Sequence, residues 1–424
     1  MRRAAIWALL FGLLIALGAV ASFLRAPASQ IPDDLPSAGR PANQTSAAPA
    51  PEATPPVATQ PPTASVPPAA TRPPKQSSEP PAPAPTAGGR PSAPLSTVTV
   101  RVFFGTDRRP SLNNQPVFAD AEALSAGQLS LGWCEVSIPR LVHSRGEIER
   151  PTIWTLDTRR WVEDANLHFV IQKRRLAPED EFWSAAQSDL ERARSRDVML
   201  FVHGYNVAFD DAVYRTAQLA FDLKQAGIPF LYSWPSDGRT LRYVGDKDNS
   251  VASVPSFKRF LVELSRRSGA ERVHVIAHSM GNLALVQALS QLQRELGPSA
   301  PHFRQVIMAA PDVDRRMFEG IAAEVQQSAD RITLYAASND RALGASERLH
   351  GDPRIGDASP MYVRAGIDAI DASAMIKGFL RHSYFAEPTL LTDIGQLIAG
   401  TPALPRLGMI GIPTDREARY WALR

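Results

Sequence analysis

From Val198 onward, short apolar runs alternate with amphipathic stretches of helical period, and few architectures accommodate that order. "VMLFVHG" (198–204) reads as a buried strand, "DDAVYRTAQLAFDLKQAG" as a helix closing at Gly227, "PFLYSWP" (229–235) as a strand and "SFKRFLVELSRRSG" (256–269) as a helix. "VHVIAHSMGN" (273–282) then runs from an apolar strand into a turn, and "LALVQALSQLQREL" follows with Leu285, Leu289, Leu292 and Leu296 on one helical stripe. Further strands are predicted at "QVIMAAP" (305–311) and "RITLYAAS" (331–338), with a last one in "MYVRAGIDAIDAS" (361–373). The order predicts an α/β fold: a mostly parallel sheet with helices on both faces and its loops at the carboxyl ends of the strands. Residues 97–196 differ, since "VTVRVFFGT", "GWCEVSIP" and "NLHFVIQKRRL" are strand-like and "EDEFWSAAQSDLERARS" is helical, so antiparallel strands are expected on the N-terminal side of the same domain.

The folded part is bounded by composition. Residues 26–96 hold 20 of the 37 prolines among Ala, Ser, Thr and Gln, too little apolar surface to offset the entropy of ordering the backbone, and read as a disordered Pro/Ala-rich tether. Before it, 21 uncharged and mostly apolar residues from Ala4 to Leu24 lie between Arg2-Arg3 and Arg25. Residues 1–25 therefore read as a membrane anchor with a cytoplasmic N-terminus, or as a signal peptide cleaved near Ala19-Val20-Ala21. Both readings export residues 97–424: membrane-anchored with the domain in the periplasm or outside the cell, or secreted if the segment is cleaved. The formal charge of +3 arises before residue 97, where seven basic residues face four acidic ones; of the totals of 46 and 43, 39 of each remain in the domain. No nucleic-acid partner is expected of a neutral domain. The lone Cys134 excludes an intrachain disulfide and a cysteine-rich metal site, and reads as a buried structural thiol.

The turn in "VHVIAHSMGN" carries the chemistry. A nucleophilic serine needs exposure at a strand end, a base within hydrogen-bond reach and donors for the oxyanion. In a strand–Ser–helix elbow the residues two positions either side of the serine must be small, and here they are Ala277 and Gly281 around Ser279. The partners of such a serine follow as acid and then histidine. Asp340 closes "LYAASND" after a predicted strand, with Asp312 and Asp314 of "APDVD" as fallback acids. His382 in "FLRHSYF" follows the last predicted strand, whereas His350, the other histidine downstream of Asp340, precedes it. The oxyanion donors are expected to be the N–H of Met280 and an N–H after "VHG", that of Tyr205. His203 is expected to shape that loop, and His278 to pack or touch substrate. No metal or organic cofactor is called for: "GxxxxGK[ST]" and "HExxH" are absent, and Asp246, Asp248 and Asn249 in "DKDNS" lack the glutamate of a calcium loop, Phe257 standing at its twelfth position, so they read as a solvated loop.

Together, "VFFGTDR", "CEVSIP", "LFVHGYN", "YSWPS", "VHVIAHSMGN", "AAPDVD", "LYAASNDRAL" and "HSYF" resemble a bacterial alpha/beta-hydrolase family of unknown function, domain-of-unknown-function family nine hundred, in the esterase/lipase superfamily. The resemblance covers most of residues 97–400. It implies the alpha/beta-hydrolase fold, with Ser279 at the nucleophile position and Asp340 and His382 at the acid and base positions of the superfamily, and it implies no substrate. The expected function is a serine hydrolase acting on a carboxylic ester or related acyl bond of a small molecule or envelope component. The competing expectation is an inactive, envelope-tethered binding or scaffold protein on the same fold. Residues 236–255 and the stretch between Asp340 and His382 are the segments long enough to cover a cleft; neither reads as an amphipathic lid, which favours a soluble ester or envelope component over bulk lipid.

Overall fold

The computed structural model describes residues 96–110, 118–151, 162–224, 227–237, 243–340, 343–344, 346–347, 351–375, 386–400, 404–406, 408–414 and 419–424. The anchor expected at 1–25 and all but the last residue of the tether expected at 26–96 lie outside them. Among the described residues no helix is long and apolar enough to cross a membrane.

In chain order the strands are β1 (Val98–Thr106), β2 (Arg108–Pro110), β3 (Phe118–Ala123), β4 (Ser130–Ile138), β5 (Val170–Leu176), β6 (Asp197–Val202), β7 (Ile228–Ser233), β8 (Arg272–His278), β9 (Gln305–Ala309), β10 (Ile332–Ala336), β11 (Ile367–Asp371), β12 (Met409–Pro413) and β13 (Arg419–Leu423). The helices are α1 (Glu179–Arg192), α2 (Phe209–Leu223), α3 (Tyr243–Ala252), α4 (Val254–Arg267), α5 (Gly281–Leu296), α6 (Arg315–Gln327) and α7 (Pro388–Ile398). Eleven strands form one sheet in the order β12-β13-β11-β10-β9-β8-β6-β7-β1-β4-β5, and β2 pairs separately with β3. From β13 to β1 all neighbours are parallel, while β12 at one end and β4 and β5 at the other are antiparallel. The expected parallel sheet with antiparallel strands on the N-terminal side is thus the observed fold.

Two differences stand out. The strand in 361–373 is β11, but it is not the last: the chain returns to add β13 beside it and β12 beyond. These short strands are largely half-exposed, so they lack the buried apolar run that marks the central ones. The segment read as a solvated loop is instead α3, with Asp246 and Ser250 fully buried.

Alternation along the strands divides the core between the two faces of the sheet. Phe103, Leu200 and Val275 point to one side, where Trp183, Phe260 and Leu285 of α1, α4 and α5 cover them. Phe104, Phe201 and Ile276 point to the other, beneath Val213 of α2 and Ile394 of α7. Leu285, Leu289 and Leu292 are buried and Leu296 packs at the margin, as the helical stripe requires. Cys134 is fully buried, and burial pushes its thiol up to about 12, the inert structural role expected.

A buried charge cluster ties the segment after β4 to α2. His143 meets Glu149 through Nδ1 at 2.9 Å and Asp222 through Nε2 at 3.0 Å, and Asp222 also accepts the Gly146 N–H at 2.7 Å. Burial alone would depress this imidazole, but the bonds and charges of Asp222 and Glu149 outweigh it and raise it to about 9. An imidazole raised above its unfolded value stabilises the fold fully below about pH 6.5, and that contribution is lost as the pH rises through 9. Despite their own burial, Glu149 and Asp222 are held below 4.5 and 3.8 by the same bonds, so their share is lost only at the acid end. Denaturant midpoints are therefore expected to show a loss of about 2 kcal/mol between pH 6.5 and 9 that His143→Gln abolishes. An identical alkaline slope in the variant would rule the cluster out as its source.

Candidate active site

The crevice is set by the crossover of the chain. From β6 the chain moves to β7 on one side and then returns to β8 on the other, so the loops after β6 and β8 flank the point where the winding reverses, where open α/β sheets bind ligands. Ser279 follows the last residue of β8, and α5 begins two residues later. The Ser279 N–H continues the ladder to the Ala309 carbonyl at 2.9 Å, while its own carbonyl accepts the Asn282 N–H at 3.0 Å and the Asp312 N–H at 3.3 Å. These bonds hold Ser279 at φ 51°, a conformation that costs a residue with a Cβ about 1–2 kcal/mol.

The small neighbours are required by contact. A Cβ on Gly281 would lie 2.3 Å from the His203 carbonyl oxygen, so only glycine lets the start of α5 approach the end of β6. A Cβ on Gly204 would lie 2.9 Å from the Ser279 Cβ, which places the loop after β6 directly against the serine. Ala277 is fully buried, and the extra methyl of the A-x-S-x-G sequence is accommodated in the core. Relief of strain yields a stability prediction: Ser279→Gly should unfold at higher denaturant than Ser279→Ala, by about 0.5–1 kcal/mol after the added freedom of the unfolded chain is subtracted. Equal midpoints would mean that the elbow stores no strain.

The loop carrying Tyr205 is anchored from three sides. Asp246 accepts the Asn206 N–H at 3.2 Å and the Asp237 N–H at 2.7 Å, and Ser236 receives the Val207 N–H at 3.1 Å. Arg108, fully buried, donates to the Val207 carbonyl at 2.8 Å, the Ser236 carbonyl at 3.0 Å and the Ser233 hydroxyl at 3.0 Å. His203 stacks on Trp234 at 5.0 Å, its Nδ1 lies 2.9 Å from the Gly204 carbonyl and its Nε2 3.1 Å from Ser233. Burial, reinforced by the Arg108 charge, lowers its imidazole to about 3, so it is neutral and shapes the loop as expected. The Tyr205 ring packs edge-on against Tyr243 of α3 at 5.3 Å.

The acids are placed differently from one another. Asp340 is buried four residues beyond β10, its Oδ1 accepting the Leu343 N–H at 3.3 Å. Asp312, one strand nearer to Ser279, is engaged elsewhere: it accepts from Ser346 at 2.7 Å and from Tyr243, and pairs with buried Arg354 at 3.3 Å. Asp314 caps α6, accepting the Met317 N–H at 2.8 Å. Ser279, Met280 and the Tyr205 loop are thus brought together, Asp340 lies on the same edge of the sheet two strands away, and His382 falls outside the described residues, as does His350.

Two supports of the site, Asn282 and Arg108, were not singled out from sequence, and a third, Asp246, was read as part of a solvated loop. Asn282 donates through Nδ2 to the carbonyls of Ala277 and Ser279, both at 3.1 Å, and bolts the elbow from inside. Arg108 and Asp246 hold the opposite loop. Of the two not singled out, Asn282 had a local signal, a polar residue within the apolar stretch that opens its helix. No group of three or more His, Cys, Asp or Glu side chains among the described residues is arranged to hold a metal ion.

A mostly parallel sheet with a strained serine at its switch point defines an alpha/beta hydrolase. The chain belongs to the family described as alpha/beta hydrolase of unknown function (DUF900), whose model matches residues 179–400. It is similar to the uncharacterized protein alr1448 of Nostoc sp. (strain PCC 7120), at 26% identity over 30% of this chain and 45% of that one, so it spans less than half the length of this relative. Among solved structures it is similar to a predicted CIB-like hydrolase from Thermoplasma acidophilum, at 15% identity over 54% of this chain and 91% of that one, with a TM-score of 0.31. An alpha-beta serine hydrolase homologue from Coxiella burnetii is 16% identical over 49% of this chain and 86% of its own, with a TM-score of 0.29. The carboxylesterase EstE1, cloned from a metagenomic library, is 13% identical over 49% of this chain and 81% of its own, with a TM-score of 0.27.

Proposed function

We propose that this protein is a serine hydrolase that cleaves a carboxylic ester or related acyl bond with Ser279 as nucleophile, His382 as base and Asp340 as the acid that orients it. The observation that carries the reading is the positive φ of Ser279 between β8 and α5, a strained geometry that a serine serving only as a helix cap does not need. Strand spacing supports the choice of acid. With β9 lying between β8 and β10, the strand ends that lead to Ser279 and Asp340 are about 10 Å apart on the same edge of the sheet. In this mechanism the Ser279 Oγ attacks the carbonyl carbon while His382 takes its proton. The oxyanion is met by the N–H groups of Met280 and Tyr205. Collapse expels the alcohol, which receives the proton from His382, and water then hydrolyses the acyl-enzyme by the same steps in reverse roles. The apolar stretch 4–24 and the proline-rich tether support membrane attachment with the domain outside the cytoplasm.

A fluorophosphonate probe on the full-length protein tests the reading directly. Wild type should be labelled and Ser279→Ala should not. A wild type that resists labelling would turn the assignment toward the inactive scaffold.

A further inference from the structure

We infer that the cavity beside Met280 binds the acyl side of the substrate, and that it takes a short chain ending in an anionic group such as a carboxylate. The inference rests on the serine-hydrolase reading and narrows its substrate class.

The cavity lies between α3, α5 and the segment entering α6, and measures about 190 Å³. Two of its wall residues tie it to the nucleophile: Met280 is the next residue after Ser279, and Asp312 donates its N–H to the Ser279 carbonyl. At about 30 Å³ for each water-sized group, there is room for about six non-hydrogen atoms, which admits a four- or five-carbon acyl chain. Leu283, Val251 and Met317 supply apolar wall for the methylenes of such a chain.

The charges around it decide what its far end binds. Lys247, on α3, lines the cavity and makes no ion pair among the described residues. Arg354 also lines it, with only 3% of the residue exposed, and its Nη2 has no hydrogen-bond partner among the described residues. The two carboxylates nearby are already answered. Asp312 has Arg354, Tyr243 and Ser346, and Asp314 has the N-terminus of the helix it caps. What remains unmatched at the cavity wall is the Lys247 ammonium, backed by a buried Arg354 N–H, and a carboxylate complements that ammonium. A neutral acyl group would leave the Lys247 ammonium without that partner.

The test compares p-nitrophenyl hemisuccinate with p-nitrophenyl butyrate, which share a chain length and differ in the terminal charge, on full-length wild type and Lys247→Gln. The ratio of their kcat/KM values should favour the hemisuccinate by about 10-fold or more in wild type, the expected size of a hydrogen bond to a charged group, and should fall toward or below unity in Lys247→Gln. A wild-type ratio below one, or a ratio unmoved by Lys247→Gln, overturns the inference while fluorophosphonate labelling of Ser279 leaves the hydrolase reading standing. Absence of both turnover and labelling overturns the hydrolase reading and the inference with it.

Discussion

Ser279→Ala and His382→Ala are each expected to lower turnover of an activated ester by several orders of magnitude, up to about 10⁶-fold, with the fold retained. Each loss is large because nucleophile and base act as a unit: without the imidazole the hydroxyl stays protonated, and without the hydroxyl the imidazole has nothing to activate. The double variant should therefore be about as slow as either single one, a non-additivity that two independent contributions would not produce. Some catalysis over water should survive in all three, since the Met280 N–H at the head of α5 and the Tyr205 loop are untouched. The check is steady-state kinetics beside a denaturation curve. Wild-type activity in Ser279→Ala would remove the serine from the reaction, and full activity in His382→Ala would send the search for the base to another histidine.

Asp312 and Asp340 are expected to fail in opposite ways. Asp312→Ala should cost about 3–5 kcal/mol of stability, because it leaves the Arg354 guanidinium buried without its carboxylate. Tyr243 and Ser346 lose an acceptor in the same substitution. Asp340→Asn, which keeps a side-chain oxygen for the Leu343 N–H, should change stability little. It should lower kcat by roughly 10³–10⁴-fold, as expected when an imidazole loses the carboxylate that fixes its tautomer. Urea midpoints and kcat measured on both variants separate the roles. If kcat collapses with Asp312→Ala at a temperature where that variant is folded, while Asp340→Asn turns over normally, the acid sits one strand nearer to the serine than proposed.

Much of the frame was legible in residues 197–336, and for a definite reason. A strand buried on both faces is a continuous apolar run, and a helix over a sheet has one apolar stripe, so "VMLFVHG", "VHVIAHSMGN" and the Leu285 stripe report their structure within a few residues. The elbow was legible too, since small residues two positions either side of a serine are a local requirement, and the contacts Gly281 would make with a Cβ are its physical cause. Edge strands are different. β12 and β13 are half-exposed and short, and nothing in their composition announces that they close one end of the sheet.

By itself the sequence determined the period of each central element, the position of Ser279 at a strand end and the proline-rich composition of residues 26–96. The tertiary structure decided which polar groups are buried and what they serve. Asp246 looks like a solvated carboxylate in "DKDNS", yet it is fully buried because Asn206, Ser236 and Asp237 deliver donors to it from two other loops. Asp312 looks like a triad acid beside Asp340, yet Tyr243 and Ser346, 69 and 34 residues away in the chain, commit it to a structural pair with Arg354. Burial of a charge is settled by partners that only the folded backbone brings within hydrogen-bond reach, and no local window of residues contains them.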